Sequence, residues 1–290
     1  MLVVDVAITN LCNARCPQCE RTDRNGLGTV STLPLTTWSL NDFKKRFTIK
    51  CLEDISEVSF CGTWGDPLMA KDIEPIVHYI IDNSKARIMI TTNGSIRTDK
   101  FYWDLGIYCG RRLSMVIDVD GIDEQMHQKY RRGTSLRKSL DALTSLSQTK
   151  AIPLSQSIIF KHNEDYKDQI RDLALAHGSH NHVHCNSDRF DGRDKFYFTN
   201  EKGERELPKD IVVRSWKDTR KNLGGLKALF GSNFALVNND QFLTPKDARH
   251  KFSSLVKNYA NKWVGGTIQN PIGKQWVKDT LRLKKAGLLR

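Results

Sequence analysis

Residues 9–21, TNLCNARCPQCER, set Cys12, Cys16 and Cys19 in a C-x3-C-x2-C pattern directly behind the apolar run LVVDVAI at residues 2–8. A short valine-rich run of this kind predicts a β-strand, so the three thiols share one tight loop at a strand end. Soft thiolates are the ligands of iron–sulfur clusters and of structural zinc. Three on one loop suit three irons of a [4Fe-4S] cluster, leaving the fourth iron open to the amino and carboxylate groups of S-adenosylmethionine. The same triplet also suits a zinc site completed by Cys61 or a histidine. Cys51, Cys61, Cys109 and Cys185 are dispersed along the chain, and lone cysteines usually pack as small hydrophobes. Seven cysteines, an odd number with three of them packed between positions 12 and 19 of 290 residues, do not read as a disulfide framework. They indicate metal or redox chemistry in a reducing compartment.

Outward from this loop, apolar runs alternate with longer polar segments of helical character. Strands are predicted at 2–8, 57–61, 87–91, 113–119, 154–160 and 182–185. Helices are predicted from the capping pair Ser39 and Asp42, and at 71–83, 98–108, 135–147 and 164–177. This βα alternation gives an α/β fold. Periodicity alone leaves open a doubly wound sheet or most of a β/α barrel, and the motifs at the strand ends favour a partial six-stranded, TIM-like barrel, because barrel sites are built at that end.

Those motifs follow in order. FCGTWGDPLM carries Gly62, Thr63, Gly65 and Asp66 behind the second strand; TTNGS carries Asn93 behind the third; DVDGID carries Asp118 behind the fourth, with YRRG, including Arg131 and Arg132, just beyond; IIFKHN carries Ile159 at the end of the fifth. With the cysteine triplet, this series resembles the radical S-adenosylmethionine superfamily over about residues 1–190. The resemblance implies a cluster on Cys12, Cys16 and Cys19, and S-adenosylmethionine lying across the strand ends. It also implies a flavodoxin- or ferredoxin-type electron donor and reductive cleavage to a 5'-deoxyadenosyl radical. By the same resemblance Gly62, Thr63, Gly65 and Asp66 meet the methionine amino group, Asn93 and Asp118 the ribose, Arg131 or Arg132 the methionine carboxylate, and Ile159 the adenine. The departures are Gln18 where an aromatic residue is common, Asp66 where glutamate is usual, and Asp118 where a small residue is common. Many related members carry a cysteine-rich C-terminal module, whereas no cysteine follows Cys185.

The βα pattern stops near residue 190. Residues 191–210 read as a connector and 211–290 as a basic helical extension. Thr244-Pro245-Lys246-Asp247 starts a helix, Phe252, Leu255, Tyr259 and Trp263 form one apolar stripe along it, and a further helix is expected at about 273–285. Residues 1–210 hold 29 basic and 29 acidic side chains, and residues 211–290 hold 16 and 4, so the whole net charge of +12 lies in the extension. Such an excess points to a nucleic acid or another acidic partner, and a zinc-stabilised nucleic-acid-binding protein is the alternative to an enzyme. His180, His182 and His184 alternate on one strand face. Mean hydropathy is −0.48, and neither a membrane span nor a signal peptide is read from the sequence, so a cytoplasmic protein without a membrane partner is expected.

If the extension binds nucleic acid, log affinity will fall linearly with log salt, with a slope of about −0.9 per duplex phosphate neutralised. The triple variant Lys278→Glu, Lys284→Glu, Lys285→Glu should lose that binding in fluorescence anisotropy. Weak, salt-insensitive retention shared by variant and parent assigns the charge to protein docking instead.

Overall fold

In the computed structural model the described residues are 2–17, 19, 21–23, 28–62, 64–160 and 162–186, with strand backbone at 198–199, 205–206, 234–238 and 242–243. Six strands, β1 (Leu2–Ala7), β2 (Ile55–Cys61), β3 (Arg87–Thr92), β4 (Leu113–Asp118), β5 (Ile152–Ile159) and β6 (His182–Asn186), pair in chain order, each parallel to the next. Parallel neighbours need crossover connections. Helices α1 (Leu40–Arg46), α2 (Ile49–Leu52), α3 (Ile73–Asn83), α4 (Asp99–Cys109), α5 (Glu124–Tyr130), α6 (Leu136–Ser147) and α7 (Lys167–Ala176) supply them. The strands fall within two residues of their expected bounds. The sequence reading missed α2 and α5, each of seven residues or fewer, because so short a segment shows too little periodicity.

Beyond β6, a two-stranded antiparallel ribbon, β7 (Phe198–Thr199) with β8 (Arg205–Glu206), occupies the expected connector. Two further strands lie in the stretch expected to be helical. β9 (Phe234–Asn238) runs parallel to β1, with Leu236 opposite Asp5, and β10 (Phe242–Leu243) is antiparallel to β9. The extension is therefore not wholly helical, and the sheet has eight strands in the order β10-β9-β1-β2-β3-β4-β5-β6. FALVN has four apolar residues closed by Asn238, too short a run for a reading based on period, although Gly231-Ser232-Asn233 before it and Asn239-Asp240 after it are usable strand-boundary signals. No ladder joins β6 to β10 among the described residues. The helices expected at 244–265 and 273–285 lie outside the described residues.

Alternation along the strands separates two faces. Val4, Val6, Val58, Phe60, Ile88, Ile90, Met115 and Ile117 are buried in one core with Phe43, Ile76, Ile80, Tyr102, Leu105, Leu140 and Leu143 of the helices. The other face is mixed: Asp5, Ser59, Ser114 and Met89 are buried there, and Cys61, Thr91, Val116, Leu154 and Gln156 are half-buried. Dry packing on the helix side thus holds an inner wall that carries polar groups beneath the strand ends.

Helix α1 begins as expected. Ser39 Oγ accepts from the Asp42 N–H at 3.2 Å and the Ser39 N–H donates to Asp42 Oδ2 at 3.0 Å, which completes a capping box. Ser39→Ala should lower unfolding free energy in urea by about 1 kcal/mol, the usual cost of losing an N-cap side chain.

Candidate active site

The loop after β1 carries Cys12, Cys16 and Cys19. Cys16 is buried and the other two are half-buried, and none of the three is in a disulfide. The Cys19 N–H donates to the Cys16 carbonyl at 3.0 Å, and the Cys12 sulfur accepts from the Ala14 N–H at 3.3 Å, so the chain winds tightly around the thiols. Tyr130, Phe160, Ala14 and Ile158 pack against them as an apolar wall. Burial pushes the Cys16 thiol up to about 12, against the pull of the Arg131 guanidinium. Burial, and then the Asp66 charge, push Cys12 to about 12 as well. Each of these two thiols also feels the charge of Cys19. Such thiols ionise when a cation replaces their protons. Three thiols on one loop are a soft donor set of the kind that iron–sulfur clusters take, so the residues present fit such a group.

Three neighbouring loops hold this one. The Asp66 N–H donates to the Leu11 carbonyl at 2.8 Å. Gly65 lies so close that a Cβ there would stand 2.4 Å from the Thr9 carbonyl oxygen, and one on Gly62 would stand 2.0 Å from that of Gly65. Glycine is required because backbone meets backbone. From behind β3, Asn93 Nδ2 donates to Asn13 Oδ1 at 2.8 Å, and Asn13 Nδ2 donates to Ser95 Oγ at 3.2 Å. From behind β4, the Arg132 carbonyl accepts from the Arg15 N–H at 2.8 Å.

The Asp66 carboxylate is the junction of these loops. It accepts from the Leu68 N–H at 3.0 Å, Thr92 Oγ1 at 2.9 Å, the Asn93 N–H at 2.8 Å and Asn93 Nδ2 at 2.8 Å. Burial raises its pKa and these donors lower it. Its side chain is thus directed into the scaffold, and Asn93 shares that commitment.

Arg131 is similarly occupied. Its guanidinium pairs with Asp118 Oδ2 at 2.8 Å and, through Nε, with Asp120. Burial works against its charge, but the two carboxylates hold its pKa well above the ordinary value. Burial raises the Asp118 pKa, opposed by Arg131, and Gln156 Nε2 donates to Asp118 Oδ1 at 2.9 Å. Asp120 also accepts from the Ile158 N–H at 2.6 Å, and its own N–H donates to His127 Nδ1 at 3.2 Å. Burial pushes His127 down to about 4, so the ring is neutral. With Nδ1 accepting, its proton sits on Nε2, 3.0 Å from Thr134 Oγ1. Asn163 closes the network by donating to the Asp120 and Ile158 carbonyls, each at 3.0 Å.

Of the residues expected at the site, Cys12, Cys16, Cys19, Gly62, Gly65, Asp66, Asn93, Asp118, Arg131 and Arg132 thus lie at these neighbouring strand ends. Thr63 and Gln18 lie outside the described residues. Ile159 is buried, but its neighbour Ile158 is the residue that packs against the thiols. The sequence reading passed over Asp120, His127 and Asn163. Asp120 stands two residues beyond Asp118 in the same motif, which is a usable signal for one shared face. His182 and His184 form a hydrogen-bonded cluster with Ser155 and Ser157, on the opposite side of the strands from Gln156 and Ile158. Burial pushes His182 down to about 4, so it is a neutral packing residue.

No protein-family model matches the chain. A GTP 3',8-cyclase from Pasteurella multocida is 30% identical over 146 residues, 49% of this chain and 39% of that protein. Among solved structures, Streptococcus suis SuiB bound to S-adenosylmethionine matches with a TM-score of 0.53 at 11% identity over 82% of this chain and 50% of SuiB. SuiB bound to the precursor peptide SuiA gives 0.55 at 11% identity, over 90% of this chain and 51% of SuiB. Native anSMEcpe with bound AdoMet gives 0.51 at 15% identity, over 69% of this chain and 55% of that one. The chain thus spans 39% of the cyclase and about half of each solved structure. All are radical S-adenosylmethionine enzymes. The resemblance carried by the motifs reappears in both comparisons, and the fold is theirs.

Asp66→Ala should strand buried donors in the turn after β2 and at the end of β3 at about 1 to 3 kcal/mol for each left unpaired. A loss on the order of 3 kcal/mol or more in urea unfolding is expected, with Asp66→Asn milder. A loss below about 1 kcal/mol would show that these donors find other partners.

Proposed function

We propose that this chain is a radical S-adenosylmethionine enzyme in which Cys12, Cys16 and Cys19 hold one [4Fe-4S] cluster and the surrounding strand-end loops bind S-adenosylmethionine. The observation that carries this reading is three free thiols on one loop, enclosed by the three motif loops that follow β2, β3 and β4. When bound, these groups supply one electron to the sulfonium and yield a 5'-deoxyadenosyl radical that attacks a substrate, while the protein supplies position and electrostatics.

The chain's own residues have separable tasks. Gly62, Thr63 and Gly65 bring backbone groups to the methionine amino group, and Asp66 fixes their loop rather than reaching for the ligand. Arg131 and Arg132 supply the positive charge that the methionine carboxylate needs. Asp118 stands nearest the ribose, and Ile158, on the site face of β5 with Ile159 beside it in the strand, takes the adenine. Tyr130 and Phe160 keep water from the thiols.

Residues 1–190 form the catalytic core, 191–210 the connector and 211–290 a basic extension that recruits an acidic substrate or partner. A flavodoxin- or ferredoxin-type protein delivers the electron in a reducing, cytoplasmic compartment. The substrate is a peptide, protein or nucleic acid. No helix among the described residues is long and apolar enough to cross a membrane.

Anaerobic purification followed by iron and sulfide analysis tests the assignment. About four irons per chain are expected, and reduction with S-adenosylmethionine should release 5'-deoxyadenosine. Cys12→Ala, Cys16→Ala or Cys19→Ala should each abolish the brown colour and this product. About one zinc per chain with no iron after reconstitution would replace the enzyme with the zinc-stabilised alternative.

A further inference from the structure

Arg21 stands two residues past Cys19 and is 7% exposed. Its Nε donates to the Asn10 carbonyl at 2.9 Å, two residues before Cys12, so one side chain closes the cysteine loop end to end. Asn10 is itself fixed. Its side-chain amide donates to the Pro34 carbonyl and accepts from the Thr36 N–H at 2.7 Å, and its backbone meets that of Gly65. The Arg21 carbonyl accepts from the Val30 N–H at 2.9 Å. Both ends of the side chain are therefore held, and the guanidinium stays beside the loop that carries the thiols.

The charges around the loop are unequal in what they have left to give. Arg131, on the Cys16 side, is shared between Asp118 and Asp120, and the three together are not positive when both acids are ionised. Asp66 adds a negative charge on the Cys12 side. Arg15 lies on the loop but is exposed, where water weakens its field. Arg21 is buried, its acceptor at Nε is a neutral carbonyl, and among the described residues no carboxylate pairs with it. At Cys12, where burial and then Asp66 disfavour the thiolate, the Arg21 charge favours it.

We propose that Arg21 is the electrostatic partner of the cluster, offsetting its negative charge from the Cys12 side and so setting how readily it is reduced. Three thiolates leave a [4Fe-4S] cluster with net negative charge, and an added electron makes it more so, which is why nearby charge tunes its potential. The step is a one-electron transfer from the donor protein in which no bond forms or breaks. Arginine suits the task because its charge is permanent. This assignment rests on the enzyme reading and adds the residue that governs the reduction on which that reading depends.

The test is the reduction equilibrium of the cluster-loaded full chain, followed by the electron paramagnetic resonance signal of the reduced cluster over a series of poised potentials. Two variants separate charge from structure, because Arg21→Gln keeps an N–H donor without the charge and Arg21→Lys keeps the charge on a different head group. At the midpoint potential of the parent, Arg21→Gln should lower the ratio of reduced to oxidised cluster about tenfold, equivalent to about 59 mV for one electron. Arg21→Lys should change it by less than about threefold. A merely structural role disturbs both variants alike, so equal shifts overturn the proposal, as does an unchanged ratio in Arg21→Gln. Should Arg21→Gln retain no iron, Arg21→Lys decides alone: a ratio within about threefold of the parent supports the proposal, and a tenfold loss overturns it. A parent chain that takes up no iron overturns the enzyme reading and this assignment with it.

Discussion

A single buried carboxylate, Asp66, holds together the ends of the first three strands. Its four donor groups come from the turn after β2 and from the end of β3, and its own N–H reaches the loop after β1. A buried charge is tolerated only when hydrogen bonds replace lost water. The same bonds that make Asp66 tolerable therefore fix the spacing of the loops it joins. The close approach of Gly65 to Thr9 and Asn10 follows from that spacing, and so does the placement of Asn93 beside Asn13 of the cysteine loop.

A second charge network begins where the first ends. Asp118 and Asp120 on Arg131 form a buried triad with one negative charge in excess when both acids are ionised. Its neutral attachments, His127, Thr134, Gln156 and Asn163, use directional bonds to keep the three groups from rearranging. Arg131 also acts on Cys16 across the apolar wall.

Much of this arrangement was legible in the sequence. The six parallel strands announce themselves as short β-branched runs, and Cys12, Cys16 and Cys19 announce a soft-ligand loop by their spacing alone. Glycines at 62 and 65 mark close backbone approach. What spacing cannot show is where an acid spends its hydrogen bonds. Asp66 and Asn93 read as ligand contacts because they stand in motif positions, yet their side chains bind the scaffold. Asp120 was passed over, because the ion triad that it shares with Asp118 closes only through Arg131, eleven residues or more along the chain. Strand β9 was hidden for a different reason: its place beside β1 is set by pairing between residues more than two hundred positions apart, and no local pattern encodes such a partner.

The cysteine loop is held by its backbone and by Asn13, and none of its three thiols is needed for those ties. Gly133 adds to this. It adopts a φ of +80°, and a Cβ there would stand 3.0 Å from the Asn13 carbonyl oxygen, so the YRRG turn rests against the loop from above. Were the proposed cluster lost to oxygen, the loss would be a local event, and its replacement would be ligand exchange on a preformed cradle rather than refolding. Amide hydrogen exchange at Arg15 and Asp66 reports this directly, since protection there should survive stripping and return unchanged on repair.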